Sequence, residues 1–128
     1  NNNTTGENNV FIGASSGFQN KTGLSNTFVG ASAGRENTLG RFNSFLGTSA
    51  GINNTTGEGN TFIGRNSGLT NRIGNNNTLL GASADVTSTS LTNAAAIGAN
   101  ARVAVSNAIV LGDPTNTSLA VGIGTDSP

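Results

Sequence analysis

The sequence predicts an all-β protein, a parallel β-solenoid (β-roll) of about seven stacked coils, and repeat-column logic of three kinds carries that expectation. First, Gly13, Gly30, Gly47, Gly64, Gly81 and Gly98 follow one another at steps of 17 residues. Second, each is preceded by an aliphatic residue (Ile12, Val29, Leu46, Ile63, Leu80, Ile97), and one place earlier stand Phe11, Phe28, Phe45, Phe62, Leu79 and Ala96. Third, Asn and further Gly recur in fixed columns between these triplets: Asn9, Asn26, Asn43, Asn60, Asn77; Gly17, Gly34, Gly51, Gly68; Asn20, Asn37, Asn54, Asn71; and Gly6, Gly23, Gly40, Gly57, Gly74.

Each column has a local reason. The triplet ending at the aliphatic residue is β-branched and aromatic, the composition of a short strand. The glycines mark corners where φ must be positive or backbones approach closely. A unit of 17 residues is too short for a helix pair, so one short strand per coil stacks on its copy in the next, about 4.8 Å away, giving a rod roughly 30 to 35 Å long. An Asn at the same place in every coil can pass an amide hydrogen bond to its neighbours above and below, a ladder that satisfies the corners. Hairpins are the competing use of short, evenly spaced strands, yet among 19 Gly no Asn-Gly pair occurs, the favoured two-residue hairpin turn.

Composition excludes much chemistry. Of 128 residues 34% are apolar and 5% aromatic, all six aromatics being Phe, so no thick conventional core forms. Six Lys/Arg balance six Asp/Glu, which leaves no basic face for nucleic acid and no acidic face for cationic partners. Cys, His, Tyr, Trp and Met are absent, removing thiol nucleophiles, imidazole bases, disulfides and the usual zinc ligands. No apolar run reaches the roughly 18 residues of a bilayer span, so membrane insertion of this segment is not expected. The missing initiator Met suggests an internal fragment of a longer parent.

Neighbouring strand residues point to opposite faces, so Phe28 and Val29 cannot both face the interior of one coil. Two adjacent apolar columns therefore imply two buried faces, one inside the coil and one against other chains. A stripe repeated on every coil is most simply buried around an axis along the rod, as a cyclic oligomer. Ala31, Ala33 and Ala50 leave little internal room, which favours the Ile/Val/Leu column inside and Phe11, Phe28, Phe45, Phe62 and Leu79 against partner chains, the reverse arrangement being the alternative. By parity Thr27, Ser44, Thr61 and Thr78 accompany Val29, hence also inside; turned outward, such a column would instead suit an ice-binding face.

The pattern then drifts. Asp85 replaces a corner Gly, Ser88 an Asn, Leu91 the third Gly and Ala96 the Phe, and the step from Gly98 to Gly112 is 14 residues. The chain thus divides into 17-residue repeats over 1–91, a shorter coil over 92–112 and a transition over 113–128, with Pro128 reading as an exit into a following segment. The 14-residue stretch, with Ala96-Ile97-Gly98 and Asn107-Ala108-Ile109, resembles the head repeats of YadA-like trimeric autotransporter adhesins, which are left-handed parallel β-rolls wound as trimers. The 17-residue units and the closing "VGIGTDSP" at Val121 to Pro128 look more like trimeric fibre proteins of the phage tail-fibre type, a class that includes the mosaic adhesive trimer fibres of predatory bacteria. Such fibres often carry a C-terminal intramolecular chaperone, which these 128 residues do not include. The resemblance implies an intertwined or side-by-side homotrimer, with Phe11, Phe28, Phe45, Phe62 and Leu79 as its trimer interface, an extracellular, cell-surface or virion-borne location and a part in attachment.

No enzymatic constellation stands out. Gly57-Glu58-Gly59 begins like a dinucleotide loop but has Phe62 where the third Gly belongs. Glu7, Glu36, Glu58, Asp85, Asp113 and Asp126 are scattered, and Asp113 lacks calcium-ligand spacing. No catalytic residue, cofactor or metal is expected. The function expected is that of a non-enzymatic shaft or head of an adhesive fibre, with cell-surface glycan as the target class and a passive spacer as the alternative. Polar loops that vary between coils, carrying Arg35, Glu36 and Arg72, are the candidate ligand contacts, because variation on a constant scaffold is where specificity can sit.

Overall fold

A computed structural model describes residues 2–121. Every main-sheet strand is three residues long: β1 (Val10–Ile12), β2 (Thr27–Val29), β3 (Ser44–Leu46), β4 (Thr61–Ile63), β5 (Thr78–Leu80), β7 (Ala95–Ile97) and β9 (Ile109–Leu111). They pair in parallel in the order β1-β2-β3-β4-β5-β7-β9, so seven strands bound six turns of a β-solenoid. The pairing disposes of the hairpin alternative, since each strand bonds to the one a full coil later. Register follows the repeat: Phe28 stands opposite Phe45, and Phe45 opposite Phe62. A second sheet of two strands, β6 (Asp85–Val86) and β8 (Arg102–Val103), opens only where the pattern drifts. The shorter step is absorbed without loss of register, with Ala95 opposite Ile109 and Ile97 opposite Leu111. The closing "VGIGTDSP" falls outside the described residues beyond Val121.

The two apolar columns face the opposite way to that predicted. Phe28, Phe45, Phe62 and Leu79 point into the coil and are at most 1% exposed in a single chain. They are therefore core and not a trimer interface; Phe11, in the first coil, is partly buried and continues the same stack. Successive rings lie nearly parallel, with centroids 5.1, 4.8 and 4.7 Å apart along Phe11, Phe28, Phe45 and Phe62, the spacing imposed by parallel strands.

The physical reason lies at the corner six residues on. A Cβ on Gly34, Gly51 or Gly68 would overlap the ring of Phe28, Phe45 or Phe62, so the ring fills the volume that a side chain there would take. Where the inward residue shrinks to Leu79 and Ala96, Asp85 and Arg102 replace that glycine, and Val86 and Val103 turn inward to fill the space, each fully buried. Ala33, Ala50, Ala84 and Ala101 complete the interior; Ala31 is exposed.

Two amide ladders hold the rest of the cross-section. Asn37, Asn54 and Asn71 each donate from Nδ2 to the Oδ1 of the equivalent Asn one coil back, at 2.8 to 3.0 Å, and also to the glycine carbonyl three residues on. Asn26, Asn43 and Asn60 donate to Gly40, Gly57 and Gly74 carbonyls at 2.8 Å, while their Oδ1 atoms accept the backbone N–H of the next ladder Asn. The ladder read from the sequence is thus present twice. Among the described residues no buried side-chain polar atom lacks a partner, which is what lets so many amides sit in so thin a core.

Candidate functional site

With the strand phenylalanines inside, the aliphatic column faces outward along the whole main sheet. Ile12, Leu46, Ile63, Ile97 and Leu111 are 38% to 58% exposed, and Val29 and Leu80 are half-buried. The threonine column shares that face, as parity required, but the face is the outer one. Thr27 and Ser44 are exposed, and Thr61 and Thr78 are half-buried. Strand alternation puts the two outward columns about 7 Å apart on a surface ruled at about 4.8 Å. The result is an apolar stripe with a hydroxyl-bearing column beside it over four coils, and the core is complete without it.

Beyond the hydroxyl column runs a third one, at the turn that enters each strand: Asn8, Ser25, Phe42, Gly59, Asn76, Asn93 and Asn107. All seven have positive φ, between 53° and 66°. Phe42 is 61% exposed, which is unusual for a bulky residue in the left-handed region. Its column neighbours Ser25 and Gly59 are small, so its ring stands clear of the surface. The Arg41 guanidinium beside it pairs with Glu58 one coil on, at 3.0 Å. That pair was legible as opposite charges 17 residues apart, yet it escaped the sequence reading.

The candidate contacts Arg35, Glu36 and Arg72 are not brought together. Arg35 and Glu36 pair with each other at 3.4 Å on the outer surface of one coil. Arg72 is exposed two coils away in a different corner column, where its carbonyl accepts the Thr55 and Thr56 N–H groups.

Two carboxylates have shifted acidities. Burial raises the Asp85 pKa above its ordinary 3.8, only partly offset by hydrogen bonds from the Thr70 hydroxyl and the Thr70 and Val86 N–H groups, and by Arg102. Its Oδ2 accepts from Thr70 Oγ1 at 2.7 Å, tying a drift-region corner to the coil behind. Asp113 is held below 3.8 by the N–H and hydroxyl of Thr115, with Oδ1 accepting at 2.8 and 2.7 Å. Among the described residues no three acidic side chains converge to hold a metal ion. No family model matches the chain, and no curated protein matches it.

Proposed function

We propose that this chain is a non-enzymatic segment of a homotrimeric fibre that projects from a cell surface or virion and contributes to attachment, with cell-surface glycan as the target class. The observation that carries the reading is the outward Ile/Val/Leu column. It runs the length of the main sheet, on a molecule whose core is already closed by the Phe stack and the Asn ladders. A stripe of that length on a thin rod is most simply buried against copies of itself about an axis parallel to the rod. Three copies of one weak site would then act together through effective concentration.

The deciding measurement is native mass by light scattering. A value near three times the 12.7 kDa chain supports the trimer, and a stable 12.7 kDa particle overturns it. Glycan-array binding by the intact particle separates an adhesive segment from a spacer, which the coil-to-coil regularity also suits.

The outward threonine column favours a second reading, an ice-binding face. Regular hydroxyls and methyls on a rigid ruled surface are what that activity needs, and thermal hysteresis tests it. The bulk of Leu46, Ile63 and Leu80 beside the hydroxyls favours protein contact over ice.

A further inference from the structure

We infer that the cleft between the entry-turn asparagines and the outward sheet face is a subsite for one neutral sugar ring; this rests on the adhesive reading above. The cleft has a volume of about 230 Å³ and is lined by Asn76, Asn93 and Asn107 on one side and by Thr78, Ala95 and Ile109 on the other. It forms there because the outward column, which carries Thr78 and Ile109 on either side, drops to alanine at Ala95, leaving a floor between two walls. That volume is below the roughly 300–1,000 Å³ of pockets for drug-sized ligands, so it suits a single ring and not a nucleotide or cofactor.

The asparagines are what mark it. In the two buried ladders every amide is spent on a neighbouring amide or a turn carbonyl. At the cleft the backbone N–H groups of Asn76, Asn93 and Asn107 donate to the carbonyls of Glu58, Asn75 and Thr92, and the side chains of the preceding Asn75 and Ser106 accept from the Glu58 and Thr92 N–H groups, so the turns close without the Asn76, Asn93 and Asn107 amides. Their side-chain amides are exposed, and the only hydrogen bond among them runs from Asn93 Nδ2 to Asn107 Oδ1, at 3.0 Å. Asn76 Oδ1 lies over Gly59, in space that any side chain there would occupy. The three amides thus recur about every 4.8 Å along the wall, each keeping donor and acceptor capacity beyond the Asn93–Asn107 bond, above an alanine and isoleucine surface. Vicinal hydroxyls of a pyranose take such paired donors and acceptors, and its C–H face packs on the apolar floor. No charged side chain lines the cleft, so the ligand it fits is uncharged. The aliphatic stripe is not part of the lining, so the cleft lies on the flank of the proposed trimer contact.

The test uses the whole chain and methyl pyranosides of glucose, galactose, mannose and N-acetylglucosamine as probes, read by saturation-transfer NMR. At least one probe should give transfer. The signal should be lost in the triple variant Asn76→Gly, Asn93→Gly, Asn107→Gly, which keeps the positive-φ turns, and in Ala95→Leu, which fills the floor. It should survive Asn8→Gly, the same substitution in the same column several coils away, and thermal unfolding establishes that each variant folds. Transfer that persists in both cleft variants overturns the subsite, as does the absence of transfer from all four probes. Glycan-array binding that survives the cleft variants overturns the subsite while leaving the adhesive reading standing; no array binding at all sinks both.

Discussion

A Cβ on Gly51 would overlap the ring of Phe45, reaching 2.5 Å from its Cδ2. This contact recurs at each aromatic coil and decides which face of the strand is the inside. Gly51 also has φ of 58°, so it answers two demands with one residue. Gly51→Ala should cost about 2 to 4 kcal/mol through overpacking and left-handed strain. Combining it with Phe45→Leu should cost less than the sum of the single changes, because the native chain already pairs Leu79 with Asp85 at the equivalent positions. Urea unfolding of the two single variants and the double variant measures the coupling, and simple additivity would refute it.

The buried amide ladder predicts a different loss. Asn54 donates to Asn37 Oδ1 at 3.0 Å and Gly57 O at 3.1 Å, and accepts from Asn71 Nδ2 at 3.0 Å. Asn54→Ala strands groups in two neighbouring coils, and should destabilise by about 2 to 4 kcal/mol. The exposed Asn93→Gly, which keeps its turn, should stay within about 0.5 kcal/mol of the native chain. Chemical denaturation of both variants compares a structural amide with one the fold does not need.

Asp85 gives stability a pH dependence. Its folded pKa is raised by burial above 3.8, so the folded state binds the proton more tightly than the unfolded chain does. Its contribution to stability is fully present below 3.8 and is lost as the pH rises through the folded value. Asp113, whose pKa is lowered, acts in the opposite sense and below 3.8, where its contribution is lost as the pH falls. Asp85→Asn should therefore remove the decline in melting temperature between pH 4 and neutrality without changing behaviour at lower pH. Thermal unfolding of both proteins across that range checks it, and parallel curves would show that Asp85 is not the source.

The outward stripe predicts an assembly variant. Leu46→Asp with Ile63→Asp places charges on exposed positions, so the far-UV spectrum of the chain should not change. The particle mass should fall to 12.7 kDa, since charges buried without partners at the proposed trimer axis are heavily penalised. Retention of the larger mass would place the contact elsewhere on the rod.

Much of this was legible beforehand in particular residues. The columns from Gly13 to Gly98 named the coil length, and the repeated asparagines named the ladders. The entry-turn cleft was not legible, because Asn76, Asn93 and Asn107 look in sequence like every other Asn of an Asn-rich repeat. Only the folded coil separates amides spent inside the ladders from amides left at the surface.

The sequence by itself determined the solenoid, the register of its strands and the parity that joins Thr27 to Val29. A fixed period with matched columns admits one stacking, and strand alternation admits one pairing of faces. Only the tertiary structure decided which face is inward. Alternation is symmetric between inside and outside, so the choice rests on volume closed across the coil, where the Phe45 ring takes the space that Gly51 leaves open. The trace of that choice is the joint loss of Phe and Gly at Leu79 with Asp85 and at Ala96 with Arg102, two columns six residues apart that meet only when the coil folds.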